Sequence, residues 1–142
     1  MGAVSFYLDT SALIALVKPE PLSDRADRFA RQHSAGLIVS DFTAAEFASA
    51  AARWVRTQEL SASEARTALD SFDGLVTRLQ RVEMTPGDLA AATMFLRRLD
   101  LPLRTPDALH IAIAQRIGAM LVTFDRQMAA SARTLGSAVQ VP

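Results

Sequence analysis

Short apolar runs rich in β-branched and aromatic residues alternate along the chain with longer segments of helical periodicity. The runs predict buried strands over residues 4–8, 37–39 and 119–123, and weaker strands over 81–84 and 138–141. Helical segments separate all of these runs, and strands joined by helices favour a parallel sheet covered on both faces. The pattern therefore predicts an α/β fold with a central parallel sheet.

The predicted helices are marked by capping residues at their starts. Helical spacing predicts helices over residues 12–17, 22–33, 42–57, 85–99, 105–117 and 125–135, and a further helix that opens at 61. Ser61 and Glu64 have the spacing of a capping box, and Thr85 and Thr105 each precede a proline. Residues 73–74, an Asp-Gly pair, either break or kink the helix that opens at 61, and the pattern leaves both open.

The length and composition fit one domain, residues 1–142. Half of the residues are hydrophobic, and the sequence has no repeat and no linker. No apolar stretch approaches the roughly 20 residues of a membrane span, and residues 1–4 do not resemble the start of a secretory signal. The absence of cysteine excludes disulfides, thiolate zinc sites and cysteine nucleophiles. These features predict a cytoplasmic protein without membrane contact.

Basic and acidic residues balance at 15 each, so the chain lacks the strongly basic character common in nucleic-acid-binding domains. Any contact with a nucleic acid must therefore come from local clusters of basic residues. Nearly all of the basic residues are arginines, which suit bidentate contacts to phosphate.

Four acidic residues stand at positions that suit a shared site. Asp9 follows the first strand, Asp125 follows the strand over 119–123, Asp107 opens a helix, and Glu46 lies in an alanine-rich helix. Open parallel sheets bind ligands beyond the carboxyl ends of their strands, where the strand order reverses. If the two strands that precede Asp9 and Asp125 are neighbours, these carboxylates meet at that edge.

Each of these acids also has a structural alternative. Asp9 could cap the first helix, and Asp107 and Asp125 could complement a helix dipole in the first turn. Glu46 could point to solvent or pair with Arg53. These alternatives stay open when each acid is considered alone.

Together, the four acids indicate a divalent cation. Two unit charges about 4 Å apart repel by roughly 4 kcal/mol at an effective dielectric constant of 20, which is large beside a total stability of about 5–15 kcal/mol. A bound cation relieves this repulsion, and oxygen ligands without cysteine favour Mg²⁺ or Mn²⁺ over zinc. Such a site suits phosphodiester hydrolysis, in which the metal activates water and stabilises charge on the phosphate.

Four segments, in this order, resemble the motifs of PIN domains. They are residues 7–13 (YLDTSAL), 40–47 (SDFTAAEF), 104–112 (RTPDALHIA) and 121–125 (LVTFD). The resemblance extends over essentially the whole chain, and no single motif is as specific as the ordered set. A separate PIN domain of this length most resembles VapC-type toxins.

This resemblance implies a Rossmann-like α/β/α sandwich and an Mg²⁺- or Mn²⁺-dependent endoribonuclease that leaves a 5′-phosphate and a 3′-hydroxyl. It also implies a VapB-type antitoxin as partner, a homodimer, and transfer RNA or ribosomal RNA as substrate. The implied catalytic and metal-binding residues are Asp9, Glu46, Asp107 and Asp125, and the implied supporting residues near the metal water are Thr10, Ser11 and Thr123.

Several other side chains carry two interpretations. Arg104 either contacts substrate phosphate or is an ordinary surface arginine. His110, one turn after Asp107, is expected to be a partly buried side chain rather than a metal ligand. Met128 stands where many relatives carry an aromatic residue, a difference expected to affect packing. The aromatic residues of the helix over 42–57 are expected in the core or at a dimer contact; they are Phe42, Phe47 and Trp54.

Other classes of protein fit the sequence less well. A phosphatase with an aspartyl nucleophile needs a second acid two residues after the first, where this chain has Ser11. Dinucleotide-binding oxidoreductases need a glycine-rich turn after the first strand, and residues 9–11 are not one. A P-loop is also missing. Two alternatives within the PIN fold remain: a non-catalytic interaction module, and a nuclease outside toxin–antitoxin systems.

Overall fold

The computed structural model describes residues 3–142, which form five strands and seven helices. The strands are β1 (Phe6–Leu8), β2 (Leu37–Ser40), β3 (Gln80–Val82), β4 (Met120–Val122) and β5 (Val139–Gln140). The helices are α1 (Thr10–Val17), α2 (Ser23–Gln32), α3 (Asp41–Arg56), α4 (Ala62–Val76), α5 (Pro86–Leu96), α6 (Thr105–Arg116) and α7 (Arg126–Thr134). Met1 and Gly2, part of the segment for which no secretory signal is predicted, lie outside the described residues.

The five strands form one parallel sheet in the order β3-β2-β1-β4-β5. The chain runs outward from β1 to β3 and then crosses back to place β4 on the other side of β1. The strand order therefore reverses between β1 and β4, where Leu8 is in register with Val122. This confirms the predicted parallel sheet, and it makes the strands that precede Asp9 and Asp125 neighbours, which is the condition for these two carboxylates to meet.

Helices cover both faces of the sheet, as predicted for an α/β/α sandwich. Alternate residues of β1 point to opposite faces, so Leu8 packs with α1 and α3 on one side and Tyr7 with α6 and α7 on the other. Both side chains are buried, as are Phe47 and Trp54 of α3 on the Leu8 side. The expected core position of these two aromatic residues is confirmed, whereas Phe42 is only partly buried.

Several predicted boundaries differ from the structure. Helix α4 continues through Gly74 to Val76, so a break at the Asp-Gly pair, one of the two alternatives that the sequence leaves open, is wrong. Helix α5 ends at Leu96 instead of residue 99, because the chain turns there and Leu99 adopts a positive φ of 65°. Strand β1 begins at Phe6, two residues later than predicted.

Within residues 3–142, no helix combines the length and the apolar composition needed to cross a bilayer.

Candidate active site

The four predicted acids line one pocket at the carboxyl edge of β1 and β4. Asp9 follows β1 directly, and its backbone N–H donates to the carbonyl of Val122 in β4 at 3.1 Å. The pocket, of about 120 Å³, is hereafter the acid pocket, and its lining consists of Asp9, Thr10, Ser11, Glu46, Pro106, Asp107, His110, Asp125 and Met128. The fold therefore brings together acids that are up to 116 positions apart in the chain (125 − 9).

Three of the acids also cap helices. Asp9 Oδ1 accepts from the backbone N–H of Ala12 in α1 at 3.0 Å, and Asp125 Oδ1 accepts from Met128 N–H in α7 at 3.0 Å. Asp107 Oδ2 accepts from Arg104 N–H at 3.0 Å, ahead of α6. The capping role and a place in the pocket are thus compatible, because a cap occupies only one carboxylate oxygen.

Glu46 reaches the pocket from the second turn of α3 and is held on one oxygen. Its Oε1 accepts from the Thr10 hydroxyl at 2.6 Å and from Nε2 of His110. Because a carboxylate only accepts, Nε2 of His110 carries a proton in this contact. Within residues 3–142 Glu46 pairs with His110 and not with Arg53, so the sequence-based alternative of an Arg53 pair is wrong.

His110 is itself held by a buried chain of hydroxyl groups. Its Nδ1 lies 2.7 Å from the Tyr7 hydroxyl, which lies 2.7 Å from Ser40 Oγ. Ser40 Oγ accepts from the backbone N–H of Thr43 at 3.2 Å and thereby caps α3. The chain connects β1, β2, α3 and α6, and it ends at the carboxylate of Glu46. Sequence reasoning missed Tyr7 and left the role of His110 open.

Burial and mutual repulsion perturb the acids of the pocket. Burial raises the pKa of Asp9, which is 3% exposed, and outweighs the opposing effects of His110, Thr123 and Ser11. The pKa of Asp107 is also raised, first by burial and further by the negative charges of Asp125 and Glu46. The surroundings of Asp9 and Asp107 therefore disfavour the ionised form of both carboxyl groups.

The pKa of Glu46 shifts in the opposite direction. Burial raises it, but the hydrogen bonds from His110 and Thr10 and the electrostatic effect of His110 together outweigh burial and lower the pKa. Glu46 is therefore ionised at neutral pH, and its ionised form is held in place by two donors.

The supporting residues differ in their positions. The Ser11 hydroxyl donates to Asp9 Oδ1 at 2.7 Å, and Ser11 Oγ accepts from Phe124 N–H at 3.1 Å, so Ser11 bridges the ends of β1 and β4. Thr123 is buried, and its Oγ1 accepts from Asp125 N–H at 3.0 Å. Arg104 has an exposed side chain and is not part of the pocket lining.

Each of the four carboxylates keeps one oxygen without a hydrogen-bond partner among residues 3–142: Asp9 Oδ2, Glu46 Oε2, Asp107 Oδ1 and Asp125 Oδ2. Within the same residues, no three histidine or acidic side chains are arranged closely enough to hold one cation together. The pocket thus supplies oxygen donors, but holding one cation with three of them would require side-chain rotation.

The fold is a five-stranded parallel sheet with the acid pocket at its switch point, which is the position between β1 and β4 where the strand order reverses. These two features define a class of small α/β proteins with carboxylate sites. The sequence profile of the PIN domain matches residues 6–133. The chain belongs to the PIN-domain family.

Among its relatives is Ribonuclease VapC46 of Mycobacterium tuberculosis, which is 36% identical over 141 residues, covering 97% of this chain and 98% of the relative. The fold is similar to the DNA-bound VapBC complex of Salmonella typhimurium, with a TM-score of 0.72, 23% identity and coverage of 97% and 98%. It is also similar to VapC20 of M. tuberculosis, a toxin that cleaves the sarcin–ricin loop, with a TM-score of 0.71, 20% identity and coverage of 89% and 95%.

Proposed function

We propose that this protein is a metal-dependent endoribonuclease and the toxin of a type II toxin–antitoxin pair. The observation that carries the proposal is the convergence of Asp9, Glu46, Asp107 and Asp125 on one pocket at the switch point of the sheet. The similarity to Ribonuclease VapC46 over nearly the full length of both chains supports an RNA substrate. The proposed catalytic unit is a single PIN domain, residues 1–142, acting in the cytoplasm.

The proposed cofactor is Mg²⁺ or Mn²⁺. Hard divalent cations take carboxylate oxygens, and each of the four pocket acids has an oxygen available for one. Burial, and to a smaller extent the charges of Asp125 and Glu46, raise the pKa of Asp107, and a bound cation would offset both effects. Asp9, Glu46, Asp107 and Asp125 would hold the ion, which when bound supplies an electrophile for the phosphate oxygens and activates water.

The chain's own residues then have distinct tasks. His110 and Thr10 fix Glu46 on its Oε1, which leaves Oε2 for the pocket. Ser11 holds Asp9 and links the two strand ends through its bond from Phe124 N–H. Thr123 holds the backbone of Asp125. Such supporting hydrogen bonds orient ligands and commonly affect activity by roughly tenfold or more.

RNA cleavage by the purified protein tests the proposal. Cleavage of total RNA is expected in millimolar Mg²⁺ or Mn²⁺, and it should stop with EDTA. Asp9→Asn should abolish cleavage while keeping the helix cap, because asparagine caps as well as aspartate. The matched control is Asp70→Asn, an exposed acid of α4 outside the acid pocket, which should cleave like wild type.

A VapB-type antitoxin is the proposed protein partner. Similar solved structures include VapBC complexes. One concave surface offers a place for a partner helix: a groove of about 620 Å³ between α1, α2 and α4, with apolar walls from Leu16, Val17, Leu37, Leu75 and Leu79. A homodimer is also proposed, and the exposed apolar side chains of Leu89, Met94 and Leu99 provide surface for it. Light scattering of wild type and Met94→Lys tests the dimer, since the charge should yield monomers.

The main alternative is a non-catalytic PIN-fold module. It predicts no metal-dependent RNA cleavage and no growth arrest when the protein is overproduced without an antitoxin. A nuclease outside toxin–antitoxin systems predicts cleavage in the absence of any antitoxin gene beside the coding sequence. Induction in cells followed by sequencing of RNA 5′ ends separates the three functions and also identifies the cleaved RNA.

A further inference from the structure

We propose that three arginines beside the acid pocket form a binding site for the phosphate backbone of single-stranded RNA. Arg25, Arg126 and Arg133 line a cleft of about 340 Å³ together with Ala129 and Val141. This surface is hereafter the arginine cleft. The inference rests on the proposed function and adds where the substrate strand is held.

The arginine cleft differs in charge from the other arginine-lined concave surfaces. No acidic side chain lines it, whereas Arg31 and Arg78 share their groove with Asp27, and Arg28 and Arg31 share another with Asp24 and Asp27. Within residues 3–142, neither Arg126 nor Arg133 forms an ion pair. Their charges are therefore available to an external anion.

Helix α7 places the arginine cleft next to the acid pocket. Asp125 and Met128, three positions apart, line the acid pocket. Residues 126, 129 and 133 recur at the three- and four-residue spacing of one helix face and line the cleft. The two rows begin at consecutive residues, which lie roughly 100° apart around the helix axis, so the cleft occupies the face of α7 next to the face that lines the acid pocket. A strand whose phosphate enters the acid pocket would therefore reach the cleft by passing around α7.

The same edge of the sheet forms both surfaces. Val141 follows β5, whose neighbour β4 leads into Phe124 and Asp125. The guanidinium of Arg25 lies 5.5 Å from the ring centroid of Phe124 and donates to the main-chain oxygen of Pro142. Arg25 is therefore fixed against the end of the sheet, while Arg126 and Arg133 project from the helix.

Electrostatics explain why such a site is needed. The chain carries no net charge, and the acid pocket concentrates carboxylates that repel a polyanion. Attraction for RNA must come from a local basic cluster, and arginine is suited to bidentate contact with phosphate. Arg104, which the sequence suggests for this role, does not line either surface.

The test is fluorescence anisotropy with a labelled single-stranded oligoribonucleotide of mixed sequence, in EDTA to prevent turnover, over a series of salt concentrations. Arg126→Ala/Arg133→Ala should raise Kd by about tenfold at low salt. The slope of log Kd against log salt should fall by roughly 0.7 for each phosphate that the variant no longer neutralises. Arg126→Lys/Arg133→Lys should retain most of the slope.

The matched control is Arg56→Ala/Arg66→Ala, which removes two exposed arginines of α3 and α4 outside both surfaces.

Equal affinity and slope in wild type and Arg126→Ala/Arg133→Ala would overturn the inference, as would a wild type that does not bind at low salt. Loss of antitoxin binding with unchanged RNA binding would assign the cleft to the protein partner and overturn it as well. The proposed function is tested separately, since it depends on metal-dependent cleavage by wild type and not on this affinity difference.

Discussion

The Tyr7 hydroxyl lies 2.7 Å from Nδ1 of His110, although the two residues are 103 positions apart in the chain. Both side chains are buried, and this contact joins the central strand to the helix that carries Asp107. Nε2 on the other side of the ring donates to Glu46. The orientation of one pocket acid therefore depends on a hydroxyl of the hydrophobic core.

Tyr7→Phe tests this dependence. Removing the hydroxyl leaves Nδ1 of His110 without its buried partner and takes one of the hydrogen bonds of Ser40, so we expect a loss of about 1–3 kcal/mol of unfolding free energy in urea. Because His110 then holds Glu46 less firmly, kcat for RNA cleavage should fall roughly tenfold with little change in KM. Nitrogen-15 NMR of a His33→Gln background, which leaves one histidine, should show the proton on Nε2 of His110.

The control for Tyr7→Phe is Phe29→Leu, which alters the core on the other face of the sheet at a similar cost in stability. It should leave kcat unchanged. An unprotonated Nε2, or an equal decrease of kcat in both variants, would refute a positioning role for His110.

The buried acids give the metal-free protein an unusual pH dependence. The pKa values of Asp9 and Asp107 are raised in the folded state, so the folded state binds more protons than the unfolded state between the ordinary Asp pKa of about 4 and the raised values. The contribution of Asp9 and Asp107 to the free energy of unfolding is therefore fully present below about pH 4 and declines as the pH rises toward their raised pKa values. The lowered pKa values of Glu46 and Asp88 act the other way and reduce stability as pH falls below about 4.

Asp9→Asn isolates one of these contributions. In EDTA at pH 7 the melting temperature of the variant should exceed that of wild type by about 3 °C or more. A stability gain of 1 kcal/mol shifts the melting temperature of a domain of this size by about that amount. The difference should shrink as pH decreases toward 4, because the wild-type carboxyl becomes protonated. Thermal melts over this pH range measure it, with Asp70→Asn as control; a difference that is constant with pH would contradict the predicted titration.

A buried ion pair supports the helix that carries Asp107 and His110. Asp88 in α5 is buried and accepts from Arg116 in α6 at 2.7 and 3.0 Å, while Arg116 also donates to the carbonyl of Glu83. Arg116→Met leaves the buried carboxylate unpaired, and we expect a loss of about 2–3 kcal/mol, at the low end of buried pairs because the Arg116 side chain is 38% exposed.

Urea denaturation measures this loss. Adding Asp88→Asn to Arg116→Met should restore part of the stability, since asparagine can keep its bond to Thr85 N–H without burying a charge. If Arg116→Met loses no more unfolding free energy than Arg66→Met, which alters an exposed site on α4, the Asp88–Arg116 pair does not contribute to stability.

Much of this architecture follows from local sequence signals. The apolar runs locate all five strands, and capping residues such as Ser61 and Thr85 locate helix starts. The positions of Asp9 and Asp125 after strands β1 and β4 place both acids at one edge of a parallel sheet, but the sequence leaves open whether the two strands are neighbours, which the structure shows. Helix ends are harder to predict, since the turn after Leu96 depends on the backbone of Leu99 and not on a glycine.

The interactions of His110 could not be predicted in the same way. All residues from Ala108 to Ala114 are buried, so α6 has no polar face that would single out one inward position. The contacts to Tyr7 and Glu46 join three segments far apart in the chain, and only the packing of α6 against β1 and α3 brings them together. The arginine cleft likewise depends on α2 and α7 being neighbours.

Direct titration with Mn²⁺, followed by electron paramagnetic resonance, tests most directly whether the acid pocket holds a divalent cation. Wild type should bind Mn²⁺, Mg²⁺ should compete for the same site, and Asp107→Asn should weaken binding by roughly tenfold or more, while Asp70→Asn binds like wild type. Absence of Mn²⁺ binding by wild type, or equal affinity in wild type and Asp107→Asn, would contradict a metal site built from these carboxylates.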